Sequence, residues 1–224
     1  MELMSLVLLL IGTCSTPSSA SVMKLDAGIS DEFLVKQGTS ADAVLISRLL
    51  NPENEKYFRG LVSRLRWQDE TMPRGKKIVS SGLIEFVATN GAREGKIPAD
   101  TLYAMHDAME VIGERGDDAD VKYLVDWITT AKYSDQIRCS VNSAGTAGVA
   151  ERLRGGAVTG LGFSGKSSAM AALENMLKNP PAGVNNIRSF IGVVNRAISE
   201  NQEISRDGDS VFFFKWKSSN PKGK

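Results

Sequence analysis

The sequence predicts an all-α protein: an α/α superhelix of stacked helical pairs, with a small β-hairpin at its C-terminal end. Three observations lead there. From Ala41 onward, apolar residues recur three and four positions apart, as a helix with one buried stripe requires. Helix-ending residues fall between the stripes, at Asn51-Pro52, at Gly91 and Gly95, and at Pro180-Pro181. Two stretches also match each other at a fixed offset, the mark of a repeated structural unit. The chain has 224 residues, 42% of them hydrophobic, enough for a core without disulfide or metal staples.

The first element reads as an address. Residues 3–13 (LMSLVLLLIGT) form an uncharged apolar run, too short to span a bilayer as a helix but the length of a signal h-region. Small residues at Ser18 and Ala20 suit cleavage before Ser21, so residues 1–20 are expected to be a signal peptide, here with an acidic start at Met1-Glu2. Ile11-Gly12-Thr13-Cys14 resembles a lipobox. It opens an alternative, a lipid-anchored envelope protein held through Cys14 and the Ser-rich segment after it. The expected location is secreted or periplasmic, at a membrane only if Cys14 is lipidated.

Cleavage after Ala20 leaves Cys139 as the one cysteine and rules out an internal disulfide in the mature chain. Cys139 reads as a small buried apolar residue. The single histidine, His106, excludes multi-histidine zinc sites. With 27 Lys and Arg against 26 Asp and Glu, the net charge of +1 offers no global attraction to nucleic acid or anionic membrane.

Residues 21–40 form a lead-in, and 41–202 the helical domain. The first helix, 41–50, puts Val44, Leu45 and Leu49 on one face and stops at Asn51-Pro52. The second places Tyr57, Phe58, Leu61, Val62 and Leu65 at helical spacing, and the third Ile78, Leu83, Phe86 and Val87. The stretch 131–156 carries Ile137, Val141, Ala144, Val149 and Leu153 at spacings that suggest one helix with a Gly-broken middle, or two short ones. A last helix follows Pro180-Pro181, with Ile187, Phe190, Ile191, Val194 and Ile198 on its core face. Residues 203–224 are read as a hairpin turning at Asp207-Gly208, followed by a basic tail.

The repeat is clearest when AMEVIGERGDDADVKYLVDWITT is laid over AVTGLGFSGKSSAMAALENMLKN at an offset of 49 residues, from Ala108 to Ala157. Ile112 then meets Leu161, Gly113 meets Gly162, and Gly116 meets Gly165. In the second helix Val121 meets Met170, Leu124 meets Leu173 and Ile128 meets Leu177. These residues resemble the HEAT-like family of α-helical repeats, clearest over 108–180, where the end of one helix, a Gly-containing turn and a second helix recur. ADAVLISRLLNP and LENMLKNPP resemble the ending of such a unit. The resemblance implies a concave surface for a protein or peptide partner, and a binding or scaffolding role without catalysis or cofactor.

One motif competes. Gly160, Gly165, Lys166 and Ser167 fit the phosphate-loop pattern G-x-x-x-x-G-K-[ST]. In that alternative the loop wraps a nucleotide's phosphates, Lys166 reaches the β/γ oxygens and Ser167 ligates Mg²⁺. The segment before it, ERLRGGAVT, makes a poor central strand, and only about sixty residues follow, too few for the sheet such a loop needs. The helical reading uses the same letters as a turn, with Gly162 and Gly165 ending one helix and Ser164 or Ser167 capping the next. An anion at that second helix's start, assisted by Lys166, is the weaker functional version.

His106 and Glu110 share a helix face but lack further metal ligands, and Asp117, Asp118 and Asp120 suit a helix start better than a calcium loop. No nucleophile elbow occurs. Phe212, Phe213, Phe214 and Trp216 beside Lys215 and Lys217 read as a strand packed on the last helix, ahead of a solvated tail.

Overall fold

The computed structural model describes residues 36–37, 41–67, 76–93, 95–130, 137–139, 145–209, 211–213 and 215. The expected signal peptide, Cys14 and the basic tail beyond Lys215 lie outside the described residues.

The described chain is mostly helical. Helix α1 (Ala41–Leu50) ends where expected. Asn51 then accepts the Glu53 N–H at 3.0 Å and starts a 3₁₀ turn, Pro52–Tyr57, with proline in its first turn. Helix α2 (Phe58–Trp67) and helix α3 (Lys76–Gly91) meet through Phe58 and Phe86, edge to face at 5.0 Å.

Two helical pairs follow: α4 (Ala99–Arg115) with α5 (Asp118–Thr130), and α6 (Gly145–Phe163) with α7 (Ser167–Lys178). Helix α8 (Ile187–Asp207) completes the array. The second helices begin at Asp118 and Ser167, the same offset that the sequence overlay uses. Ile112 and Leu161, equivalent in that overlay, are both 0% exposed, and burying each contributes about 2 kcal/mol.

Helices α4, α6 and α8 lie side by side, with α5 packed on α6 and α7 packed on α8. Glycine sets the spacing. A Cβ on Gly113 of α4 would overlap the Gly160 carbonyl of α6, and a Cβ on Gly162 of α6 would come within 2.8 Å of the Ala197 backbone of α8. Gly113 and Gly162 are partners in the overlay. The same position therefore brings each first helix close to the next one.

The turn 164–166 joins α6 to α7. Gly165 takes φ +60°, the left-handed conformation expected of it, whereas Gly162 stays helical. Ser164 donates to the Leu161 carbonyl at 2.8 Å and accepts the Lys166 N–H at 3.3 Å. At the matching start of α5, Asp117 accepts the N–H groups of Ala119 and Asp120, while Asp120 accepts the Asp117 N–H. That reciprocal cap is what the acidic run does. Ser168 then donates to Asp118 at 2.6 Å, tying the two second helices together at their starts.

Two expectations are corrected. Ile137 and Cys139 lie not in a helix but in strand β2 (Ile137–Cys139), paired in parallel with β1 (Gly95–Ile97), and α6 begins only at Gly145. The side chain of Cys139 lies outside the described residues.

The described residues of 203–215 form no hairpin. Helix α8 runs to Asp207, and Gly208, at φ +85°, closes it with its N–H on the Ile204 carbonyl. Residues 211–213 are again helical, with the Phe212 N–H on the Gly208 carbonyl at 3.1 Å. A glycine at positive φ ends a helix as readily as it turns a hairpin. Helical spacing then carries Phe212 and Phe213 onto Phe163 and Ile204, in a small cluster beside the main core.

Candidate functional site

Helix α4 carries Tyr103, His106, Asp107, Glu110 and Glu114 at spacings of three and four, so they form one ridge. Arginines of α2 and of α4 itself meet it. Arg59 of α2 pairs with Asp107 at 3.6 Å, and Arg66 of α2 bonds Glu110 and lies 3.3 Å from Glu114. Arg115 pairs with Glu114 at 2.7 Å and donates to the Arg66 carbonyl at the end of α2. Arg66 is buried, with its guanidinium over the Phe163 ring. Burial alone lowers its pKa, but the charges of Glu110 and Glu114 outweigh that and leave it raised.

On α6, two arginines two residues apart do different work. Arg154 is 2% exposed and ties the end of α5 to the turn before α8: its Nε donates to the Ile128 carbonyl at 3.0 Å, and its Nη atoms donate to Glu151, Gly183 and Ala182. Arg152 instead lies with its guanidinium 4.6 Å from the Tyr103 ring centroid. Arg59 approaches the same ring at 4.9 Å. Among the described residues Asp107, Glu110, Glu114 and Glu151 each have an arginine, and no carboxylate lies within ion-pair distance of Arg152.

A groove of about 330 Å³ opens beside Arg152, between α4, α6 and the first turn of α8. His106, Glu151, Arg152 and Ser189 give it polar groups, the Glu151 carboxylate being paired with Arg154, and Phe190 and Val193 give it an apolar wall. Gly155 keeps it open, since a Cβ there would meet nothing within 4 Å. The His106 Nδ1 lies 3.3 Å from Asp107 and 3.7 Å from Glu110. Burial opposes its protonation, but the Asp107 hydrogen bond and both carboxylate charges outweigh burial and the opposing Arg152, so its pKa is raised. Among the described residues no cluster of three or more His, Cys, Asp or Glu side chains is arranged to hold a metal ion.

Further along α8, burial pushes the Glu200 carboxyl up to about 7, helped by Glu110 and opposed by Arg196 and Arg66. Its Oε2 is buried, with no hydrogen-bond partner among the described residues.

The four phosphate-loop residues do not share a loop. Gly160 is buried inside α6, where a Cβ would strike the Met109 carbonyl. Residues 157–159 are helical, so no strand leads into the turn. Lys166 holds the cap position of α7, its carbonyl accepting the Met170 N–H at 3.0 Å. Ser167 is exposed at the rim of a second groove of about 450 Å³ between α7 and α8.

Sequence reasoning found His106 and Glu110 together on one face but missed Arg66, Arg152, Arg154 and Glu200. Arg152 and Arg154 entered only as a reason against a strand. Their separation by two residues was the available signal, since at 100° per residue it sends them to opposite sides of a helix. The chain matches no protein-family model, and no curated protein or solved structure shows significant similarity to it.

Proposed function

We propose that this chain is an exported, non-catalytic binding protein, a short stack of HEAT-like helical pairs that holds a protein or peptide partner. The observation that carries the reading is the groove beside Arg152, which draws its walls from α4, α6 and α8, one helix from each successive unit. Stacked repeats bind in this way, on surfaces that no single unit supplies. The equivalent glycines Gly113 and Gly162, each set against the next unit's helix, support the stacking. No described helix is long and apolar enough to cross a membrane. Export rests on residues 1–20, with lipidation at Cys14 as the other processed form.

Site-specific photo-cross-linking tests the role. A photoreactive residue at Ser189, on the groove, is expected to capture a discrete protein adduct from the culture medium or envelope fraction, and the same residue at Lys122, exposed on α5, is not. Equal capture at both positions, or none at 189, defeats the reading. Mass spectrometry of the mature chain is expected to find Ser21 at the N-terminus. A lipidated Cys14 would move the protein to a membrane.

A further inference from the structure

We infer that the groove between α4, α6 and the first turn of α8 recognises the free C-terminal end of a peptide, with Arg152 as the residue that binds its carboxylate. This deepens the peptide-binding reading and rests on it. The argument begins with charge. Glu151 on the groove, and Asp107, Glu110 and Glu114 along the α4 ridge that also carries His106, are each matched by an arginine. Glu151 is also held by the Asn185 N–H at 3.3 Å and is not left over for Arg152. Among the described residues the fifth arginine has an aromatic ring under it and no anion beside it.

Geometry then selects the ligand. The Tyr103 ring lies 4.6 Å from the Arg152 guanidinium, and among the described residues no acceptor takes its N–H fork, which can meet a carboxylate with two parallel bonds. His106 shares the groove, and its Nδ1 is already engaged by Asp107 and Glu110, which favour the cationic ring. Ser189 adds a hydroxyl in the first turn of α8, where the helix dipole favours negative charge. Phe190 and Val193 line the same groove with apolar surface. A chain-terminal residue with an apolar side chain offers both features from one carbon, a carboxylate for Arg152 and an apolar group for Phe190 and Val193. A volume of about 330 Å³ lies at the small end of ligand pockets, so it suits a chain end better than a run of chain.

The test uses fluorescein-labelled tetrapeptides ending in Leu, Val or Phe, each with a free C-terminus and as the C-terminal amide, titrated by fluorescence anisotropy into the full chain. At least one free-acid peptide is expected to bind ten-fold or more tighter than its amide. Arg152→Gln is expected to remove that ten-fold preference, and Arg152→Lys to keep part of it. Gly155→Leu is expected to block binding by filling the groove. A Cβ at position 155 meets nothing within 4 Å and leucine is the better helix former, so its melting temperature should not fall below the parent's, which separates blockage from misfolding.

Acid and amide binding alike, or an acid preference that survives Arg152→Gln, overturns the site while leaving peptide binding elsewhere on the surface intact. Inorganic phosphate competing as well as the free-acid peptide overturns the chain-end assignment. Absence of binding by every peptide also overturns it, and cross-linking at position 189 then decides separately whether the groove takes a protein.

Discussion

Gly113 of α4 lies so close to Gly160 of α6 that a Cβ on Gly113 would overlap the Gly160 carbonyl. The contact is backbone on backbone, and no side chain can swing away to relieve it. Gly113→Ala must therefore push the two helices apart along a core in which Met109, Ile112 and Leu161 are fully buried. The expected cost is about 3 kcal/mol, the upper end of ordinary overpacking. Gly192→Ala is the control: it too replaces a helical glycine, but its Cβ would meet nothing within 4 Å. That change is expected to stabilise by roughly 0.5–1 kcal/mol through helix propensity alone. Urea midpoints of the two variants check both signs, and a neutral Gly113→Ala would mean that α4 and α6 are not packed as described.

The same glycines show what a sequence discloses and what it hides. The offset between the helical pairs was legible because Ile112 and Leu161, or Leu124 and Leu173, must be apolar to fill equivalent interior places. Helix α6 was harder to read. The glycines in the middle of 131–156 suggested a break and Gly162 suggested an end, because glycine lowers helix propensity, yet α6 runs unbroken from Gly145 to Phe163. What compensates is the close approach of α4 and α8, a tertiary gain that no local window contains. The C-terminus misled for a related reason. Asp207-Gly208 supplies the positive φ that a hairpin or a helix end would use, and only the Phe163 and Ile204 surface awaiting Phe212 decides between them. The groove was hidden because its character depends on which arginine has a carboxylate, and Arg152 and Arg154 look alike until each is seen against its neighbours.

Glu200 should make stability depend on pH in a recognisable direction. Burial raises its folded pKa from 4.5 to about 7, with Glu110 and Glu203 adding to the effect and Arg196 and Arg66 opposing it. A carboxyl that binds its proton more tightly when folded favours the native state below the unfolded pKa, and the advantage disappears as pH rises through the folded value. His106, also raised, acts in the same direction at higher pH. Between pH 4.5 and 7 the Glu200 contribution is expected to fall by roughly 1–2 kcal/mol, a linkage figure near 3 kcal/mol reduced for the solvent that reaches the carboxyl. Glu200→Gln stays neutral throughout and is expected to flatten that part of the profile. Urea midpoints at pH 5 and pH 8 make the comparison, and a parent that gains stability across this interval relative to Glu200→Gln would show that the carboxyl is ionised and well accommodated.

The turn at Gly165 and Lys166 separates a structural role from a nucleotide-binding one by which residue matters. If the turn serves only to join α6 to α7, its sensitive position is Gly165. There φ is +60°, and a Cβ would come within 2.5 Å of the Ile204 methyl on α8. Gly165→Ala is expected to cost roughly 2 kcal/mol, part backbone strain and part displacement of Ile204. Lys166→Ala removes a side chain for which no hydrogen bond or ion pair is recorded among the described residues, and is expected to change stability by less than about 0.5 kcal/mol. A phosphate loop would reverse the ranking of consequences, because its lysine contacts the ligand and a bound nucleotide stabilises the fold by mass action. Melting temperature measured with and without millimolar Mg-ATP tests this directly. The parent and Lys166→Ala are expected to melt alike in both conditions. The reason lies in the backbone: Gly160 is locked inside α6 against the Met109 carbonyl, so only the turn 164–166 is left to face a phosphate, too short an arc of N–H groups to surround one. A nucleotide-dependent rise in the parent that Lys166→Ala abolishes would require α6 to unwind back to Gly160, and with it the helix contact that Gly113 depends on.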